Sequence, residues 1–576
     1  MILQIVLGLT LTHLIWSLVC LEINVRKARA LNVPVVRLPV DPVNFLWIFL
    51  QGHVWKFLDR LPIQWSSYPD FIRFSYRGWH FREKSRPAVR LGPVWALVTP
   101  VTFYLQFTDP DAIHELFLRR SDFIRPVKNY SKRFVIFLLE VYGPCISTAG
   151  WDDWARHRKV LAAPFNESIM HFVWVESLRQ SGAMLRSWTE EFQAEAGIKS
   201  VQRDTRTLSL NVLAATGFRK SYDFRSSAEK SPEGEATSYR DALQTVLDNA
   251  ILIMIIPYKY LQGSFVPKKL VRVGGAARAF KRHMEQMLED ETIALSNNKP
   301  GSGGIMSAFV RALDVHEKEI IAKPTVRESK DGKKGLSIEE IFGNMFVINF
   351  AGHDTTANTL AFAIMLLAAH PDVQTWLSEE ITAIATNSMG DVPVEEWDYH
   401  TAFPRLKRCQ AVMLETLRLY PSIMSLPKWT QGSAQTIRVA DKILVIPPGV
   451  GTSPHLLAIH THPKYWTDPF TWKPSRWIIG SDSGVLGEEL WTPPAYTYFP
   501  WSDGPQNCPG AKLSRVETVA VLACLFKSHR LSVKKEHGER EDTARKRVID
   551  CVNDVNLEIL LRMRNADSVK LTCMRV

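Results

Sequence analysis

Four places in the chain combine residue types at spacings that can do chemistry. Cys508 lies in Trp501-Ser-Asp-Gly-Pro-Gln-Asn-Cys-Pro-Gly510. Glycine and proline on both sides impose a turn with exposed backbone N–H groups. A thiolate held there could accept those hydrogen bonds and ligate a soft or borderline metal. One thiolate is too few for zinc, but it suffices as the single axial ligand of a haem iron. The rival reading is a buried structural cysteine. Ala351-Gly-His-Asp-Thr-Thr356 sets an acid beside a hydroxyl, a pair suited to proton delivery. Otherwise the threonine bonds back to the helix carbonyl and the aspartate is capped or paired. Glycine inside a helix costs ~1 kcal/mol relative to alanine, so Gly352 predicts that something flat or bulky approaches there. Glu415 and Arg418 are i, i+3 neighbours, which alone predicts a surface ion pair. Trp154 and Arg158 fall on one helix face. They are either a packed tryptophan with a solvated arginine, or a pair that clamps an anionic planar ligand through an indole N–H and a guanidinium.

These groups need elements to position them. Ser337-Ile-Glu-Glu340 has the S-x-x-E capping-box pattern, an apolar run follows, and His370-Pro371 closes it. The pattern predicts one helix of about 33 residues, roughly 50 Å at 1.5 Å per residue. A helix that long, apolar nearly all round, must cross the middle of a large domain. A second helix is expected from about Pro404 to Leu419, ending at Tyr420-Pro421. Short strands follow at Thr436–Val439 and Ile443–Ile446, with a Pro447-Pro448-Gly449 turn. Between Thr461 and Pro509 lies an irregular, aromatic-rich and ordered segment. Ser226–Ser238 and, with interruptions (NNKPGSGG, then RESKDGKKG), Ser296–Gly335 read as polar surface loops.

The chain has 576 residues, and at ~150 residues per domain that allows up to about four domains. With 46% hydrophobic and 22% charged residues it is neither disordered nor a bundle of membrane spans. Its seven cysteines form no C-x-x-C pair, which excludes a disulfide framework and a cysteine-cluster zinc site and favours a reducing compartment. Residues 1–21 carry no charged side chain, long enough to cross a bilayer as a helix. No positive n-region precedes the run, so it reads as an uncleaved anchor rather than a signal peptide. Arg26, Lys27 and Arg29 follow it, which places the bulk of the chain in the cytosol. Pro34, Pro39 and Pro42 predict a stiff, extended connector. Phe45–Leu50 and Ile251–Ile256 are too short to span and read as core, or as segments that dip into the membrane face.

In this order the motifs resemble those of the cytochrome P-450 haem-thiolate monooxygenases. AGHDTT (351–356) looks like the family's oxygen-activation motif, ETLRLYP (415–421) its E-x-x-R helix, and Pro474-Ser-Arg-Trp477 the P-x-R-F/W element. WSDGPQNCPG (501–510) looks like the haem-binding loop, and Trp154-x-x-x-Arg158 the motif near the propionates. Detail in the PWSDGPQNCPG-AKLSRVE and WARHRK-LAAPFNE runs looks like filamentous-fungal members of secondary metabolism. The resemblance implies a mainly α fold with small β-sheets and a single N-terminal transmembrane helix. It divides the chain into an anchor (1–22), a proline-containing connector (23–44) and a haem-thiolate monooxygenase domain (45–576).

Residue by residue, the resemblance makes Cys508 the axial thiolate and metal ligand of heme b (iron protoporphyrin IX). Trp154, Arg158 and Lys428 would reach propionates. Glu415, Arg418 and Arg476 would form a buried structural triad, and Asp354 and Thr355 would deliver protons. Two departures from the pattern F-x-x-G-x-R-x-C-x-G stand out. Trp501 replaces phenylalanine and keeps an aromatic edge. Gln506 replaces arginine at a propionate contact; glutamine still donates, but a charge-assisted hydrogen bond is about twice as strong. Haem retention is expected because Arg158 and Lys428 remain. Ser475 stands for the common glutamate of the P-x-R element, with no loss assigned.

The implied activity is insertion of one oxygen atom from O2 into a lipophilic substrate, a terpenoid or polyketide intermediate of fungal secondary metabolism. No G-x-G-x-x-G or phosphate-binding loop is present, so electrons from NADPH are expected through a separate membrane-bound cytochrome P-450 reductase. The net charge of +11 suits a basic docking face. The implied location is the endoplasmic reticulum membrane, single-pass, with a cytosolic catalytic domain and no nucleic-acid partner. Two rivals remain. A rearranging or dehydrating haem-thiolate enzyme needs no O2, and the intact Asp354-Thr355 pair argues against it. A non-catalytic, membrane-anchored binding protein with this fold has only Gln506 in its favour.

Overall fold

The computed structural model describes residues 2–42, 44–125, 141–189, 196–219, 221–225, 238–297, 299, 303–322, 335–389, 392–557 and 560–576. The polar stretch 226–237 lies outside the described residues, as do 298, 300–302 and 323–334 of the second stretch; between its two polar runs, Ile305–Ala322 is a helix rather than loop, because Met306, Phe309, Val310 and Leu313 recur at helical spacing and are buried. The fold is mainly helical with small sheets.

The central helix runs from Ile338 to Ala369, 32 residues. Ser337 Oγ accepts the Glu340 N–H at 3.3 Å, and the Glu340 carboxylate accepts the Ser337 N–H at 2.9 Å. This capping box satisfies two donors that the start of a helix leaves open. His370 ends the helix, and Pro371 opens the next one at a position where its missing N–H costs nothing. Ile341, Phe342, Met345 and Phe346 of the first half pack into one apolar cluster with Leu210, Leu243 and Phe280. Leu360, Phe362, Ile364 and Met365 of the second half pack into another with Trp174, Leu178 and Val519. Residues 351–359 belong to neither cluster. Here Ile348, Ala351, Gly352 and Thr355 are not buried, and their spacing of three and four puts them on one stripe.

The second helix spans Lys407–Leu419, three residues shorter at its start than the spacing predicts. Phe403, Pro404 and Arg405 form a turn instead, because the chain has just closed a short helix at Tyr399–Ala402.

A six-stranded sheet collects distant segments. Its strands are β1 (Val35–Arg37), β2 (Val94–Val98), β3 (Phe103–Phe107), β4 (Phe123–Ile124), β5 (Lys428–Thr430) and, after the hairpin β6–β7 (Gln435–Val439 and Lys442–Ile446), β8 (Gly451–Pro454). Their order is β1-β2-β3-β8-β5-β4. β5 runs antiparallel to both β8 and β4. That pairing carries Lys428 into the neighbourhood of Arg125, which follows β4 directly.

At the amino end, the residues that follow the apolar run are tied into the sheet. One helix runs unbroken from Ile2 to Arg29. Its last turns bury Leu21, Val25 and Ala28 against Ala96, Val98 and Leu105 of the sheet. Val35–Arg37 then pairs parallel to β2, with Val35 opposite Ala96. The Leu38 N–H donates to the Val98 carbonyl at 2.7 Å, and the Thr99 hydroxyl to the Asp41 carboxylate at 2.7 Å. Prolines bracket a sheet-edge strand here, a place where a missing N–H is tolerated.

The two short apolar runs are not wholly core. Phe45–Leu50 opens a helix that ends at Leu58 and leaves Leu46, Leu50, Val54 and Phe57 exposed. Ala250–Ile255 is a helix that buries Ile253 and exposes Ile251.

Candidate active site

The Cys508 loop is closed by its own backbone. The Cys508 N–H donates to the Trp501 carbonyl at 2.9 Å, and the Ser514 N–H donates to the Gly510 carbonyl at 2.9 Å, starting the helix Ala511–Lys527. Gly504 sits at φ +66°, and a Cβ there would lie 2.7 Å from the Phe117 carbonyl oxygen. The turn therefore needs glycine at that position. The Trp501 indole N–H donates to Ser514 Oγ at 3.0 Å, and the Arg515 guanidinium lies 4.2 Å from the Trp501 ring centre. The aromatic edge expected of Trp501 is thus pinned from two sides. Cys508 is exposed on one side. The loop around it still desolvates the thiol enough to raise its pKa, while the Gly510 N–H and the Arg158 charge pull the other way. Those last two groups favour the thiolate.

Cations gather on this loop. Lys428 is buried, and burial together with the nearby Arg125 charge pushes its ammonium down to about 8. Its Nζ donates to Gln506 Oε1 at 3.5 Å. Arg125 donates to the Gln506 carbonyl at 3.5 Å. Burial lowers its pKa, and Arg158 adds to the effect. Arg158 donates to the Asn507 carbonyl at 2.9 Å and to Asn507 Oδ1 at 2.6 Å. Trp154 is buried, with the Arg120 guanidinium 4.7 Å from its ring centre. Among the described residues, no carboxylate offsets Arg125, Arg158 or Lys428. Three half-buried or buried cations without an acid form a site for an anion, because burying a charge is costly unless it is paired. The set fits the propionates of a haem whose iron is held by Cys508. Sequence reading missed Arg125: Phe-Ile-Arg carries no motif, and only the β4–β5 pairing reveals its neighbours.

Glu415, Arg418 and Arg476 form a single knot. Arg418 donates to both carboxylate oxygens of Glu415 at 2.9 Å, and Arg476 to one at 3.0 Å. The Lys473 N–H adds a bond at 2.8 Å, and the Trp477 indole N–H another at 2.9 Å. The remaining Arg418 donors reach the carbonyls of His460, Pro469 and Thr471. Glu415 and Arg418 are fully buried, so the i, i+3 pair is not a surface feature.

Asp354 is held by a second pair of arginines. Arg206, on the helix Val201–Phe218, donates to Oδ1 at 2.9 Å, and Arg562 donates to Oδ2. Burial pushes the Asp354 carboxyl up, but His353, Arg206 and Arg562 outweigh it and hold the pKa below the usual value. His353 is fully buried, pushed down to about 4 by desolvation, and hence neutral near pH 7. Its Nε2 lies 3.1 Å from the Arg206 carbonyl, a partner that only an N–H can satisfy. The Thr355 hydroxyl donates to the Ala351 carbonyl at 2.8 Å, the back-bonded form. What approaches Gly352 is a leucine: a Cβ there would lie 3.1 Å from Leu213 Cδ2. The expected flat or bulky neighbour is thus, in part, the core itself.

A lone turn-held cysteine, ringed by cations that lack an acid, and a long helix with an acid–hydroxyl pair define a haem-thiolate protein. The chain belongs to the cytochrome P450 family, whose family model matches residues 83–550. It is 28% identical to a cytochrome P450 monooxygenase of Arthrobotrys oligospora, over 98% of this chain and 97% of that one. It is 29% identical to the phomenoic acid biosynthesis cluster cytochrome P450 monooxygenase of Leptosphaeria maculans, over 89% of both chains. A Penicillium roqueforti cytochrome P450 monooxygenase is 26% identical over 90% of both. The family implies a haem-thiolate cofactor, and the relatives mark the chain as an oxidoreductase of the monooxygenase type. Its N-terminal helix is long and apolar enough to serve as a membrane anchor.

Proposed function

We propose that this protein is a membrane-anchored monooxygenase that inserts one oxygen atom from O2 into a lipophilic intermediate of fungal secondary metabolism, a terpenoid or polyketide. The observation that carries this reading is the Cys508 loop, with Arg125, Arg158 and Lys428 around it and no acid to offset them. Cys508 ligates the iron of heme b, and Trp154, Arg158, Lys428 and Gln506 face its propionates. When bound, the haem supplies reductive activation of O2, with the thiolate favouring O–O cleavage. Asp354 and Thr355 deliver protons, Thr355 from the unburied stripe of the central helix and Asp354 from the buried position next to it. Glu415, Arg418 and Arg476 hold the core beneath the cysteine loop. Electrons come from NADPH through a separate cytochrome P-450 reductase, and the chain lies in the endoplasmic reticulum membrane with its catalytic domain in the cytosol. The anchor comprises about the first 20 residues. The rest forms one haem domain that includes residues 23–44. The phomenoic acid cluster relative supports the secondary-metabolite assignment.

The test is the absorption spectrum of the reduced, carbon-monoxide-bound protein. A red-shifted Soret band that disappears in Cys508→Ala supports thiolate ligation. Turnover that needs both O2 and the reductase supports a monooxygenase. A Cys508→Ala protein that keeps the shifted band overturns the reading.

A further inference from the structure

The helix Pro110–Leu118 gives no residue to the cation cluster, yet it grips the cysteine loop and the segment leading into it. His114 and Phe117 are i, i+3 neighbours on one face of that helix. His114 Nδ1 lies 2.5 Å from Asp503 Oδ2, and an ionised carboxylate can only accept, so the imidazole is the donor. The other carboxylate oxygen, Asp503 Oδ1, accepts the Gly504 N–H at 2.7 Å. The Phe117 carbonyl closes on Gly504 from the same helix, and the Phe117 ring meets Phe499 edge-on at 5.7 Å. From Gly504 the contact passes on: its carbonyl accepts the N–H of Asn507, the neighbour of Cys508, at 3.1 Å. The backbone is unusual beside this clamp. Tyr496 and Ser502 hold φ of +59° and +64°, left-handed values that non-glycine residues keep only where their surroundings fix them. The Tyr496 ring lies flat on the His114 imidazole, with 3.7 Å between ring centres, and Ser502 directly precedes Asp503. Glu115, the next acid on the helix, is taken by Arg119.

We propose that His114 is a positioning residue for the cysteine loop and that, with Asp503, it sets the reduction potential of the iron that Cys508 holds. The bond fixes the loop where its backbone turns. The pair also places a negative charge on that loop and the group that offsets it. An acid left alone there favours ferric over ferrous iron, and the donor imidazole opposes it. Charge and hydrogen bonding around an axial ligand tune a metal in this way. His114 acts through Asp503 and the loop backbone, not on the reacting atoms. The proposal rests on the reading of Cys508 as the axial ligand.

The experiment uses full-length, substrate-free holoprotein in detergent micelles. It reads the ferric-to-ferrous ratio in a dye-buffered reductive titration, with the reduced carbon-monoxide spectrum as the check on ligation. At the solution potential that half reduces the wild type, His114→Phe should leave ferric iron in roughly twofold excess, because a ring stays on Tyr496 while Asp503 loses its partner. Asp503→Asn should leave ferrous iron in similar excess, because it removes the acid and keeps an acceptor for Gly504. A purely structural pin predicts shifts of one sign in these two variants, since both loosen the same loop. That result, or no shift in either, overturns the proposal. His114→Arg keeps a donor and a positive charge and should stay closer to the wild-type ratio than His114→Phe; an equal shift means that charge is not the cause and also overturns it. The hold on the cysteine is read separately. In dilute urea the red-shifted band should decay roughly threefold faster in His114→Phe than in wild type, and an equal rate overturns the positioning role. Where His114→Phe does not yield holoprotein, His114→Gln carries the same readouts, with a smaller shift of the same sign expected and no shift overturning the proposal. A wild-type protein without the red-shifted band removes Cys508 as the ligand, and the proposal falls with it before any variant is compared.

Discussion

Glu415 and Asp354 are both carboxylates set between two arginines. At Glu415 the acid and Arg418 are fully buried, Arg476 is nearly so, and backbone and indole N–H groups add further donors. At Asp354 the acid is buried, but its arginines keep 22% and 38% of their side-chain surface in water. The neighbouring His353 leaves its Nδ1 without a hydrogen bond, and a cleft reaches the arginines from outside. The same three charges serve two ends. Complete satisfaction and burial make a fixed strut, because breaking it leaves a buried charge alone. Partial exposure makes a group that can exchange a proton, because water can replace an arginine when it leaves.

The sharpest way to break this comparison is Glu415→Gln. Two buried guanidiniums would lose their counter-charge, a cost of about 3–5 kcal/mol by analogy with other severed buried pairs. The expected outcome is little or no folded holoprotein, read as haem absorbance per mg of purified chain. A variant with normal yield would show the knot to be dispensable.

Asp354→Asn is the matched experiment on the other side. It should fold and keep haem, while NADPH-supported turnover falls about 100-fold, within the usual range for an acid–base group. Its stability cost should also depend on pH. The folded-state pKa of Asp354 is depressed, so its contribution is present above the unfolded value and is lost as pH falls through the folded one. The gap in urea midpoint between wild type and Asp354→Asn should therefore narrow toward acid pH. A gap that stays constant would place Asp354 with Glu415 as a strut.

Thr355→Ala should have a smaller effect on consumption than on outcome. NADPH is still oxidised, product falls, and hydrogen peroxide rises severalfold. Unchanged coupling would remove Thr355 from the proton path.

Gln506→Arg is expected to do least. Arg125, Arg158 and Lys428 already supply positive charge to that loop, so haem transfer to apomyoglobin should slow by less than tenfold. A protein that loses haem readily until Gln506→Arg restores it would mean the three cations do not compensate.

What could be read ahead of the structure follows the same division. The Glu415 knot was legible only through the family resemblance of E-x-x-R and Pro474-Ser-Arg-Trp477; the i, i+3 spacing alone predicts a surface ion pair, and burial of both partners is a tertiary fact. The central helix was legible because Ser337 and Glu340 mark its start and Pro371 its end. The Asp354 cluster was half legible. The acid–hydroxyl pair is local, but Arg206 and Arg562 lie 148 and 208 residues away in sequence, on a helix and a hairpin with no motif of their own. Arg125 was hidden for the same reason. The extended form of the connector was legible from its prolines, but its partner was not: parallel pairing of Val35–Arg37 with β2 is a long-range contact that no local pattern encodes. Gly352 misled in a smaller way, since a glycine reports a close neighbour without saying whether it is a ligand or a leucine.

The unbroken helix from Ile2 to Arg29 has a bearing on how such a protein can be cut and tethered. Its apolar outer part and its sheet-packed inner part share one continuous backbone, with no joint between them. Among the described side chains before Leu21 none is buried, so trimming there leaves the contact with the sheet in place. Trimming to Arg29 strips Leu21, Val25 and Ala28 from the sheet and leaves apolar holes behind. A shortened chain that keeps its sheet contact therefore begins partway along a helix, and the outer part of that helix is a stalk that cannot swivel freely against the domain.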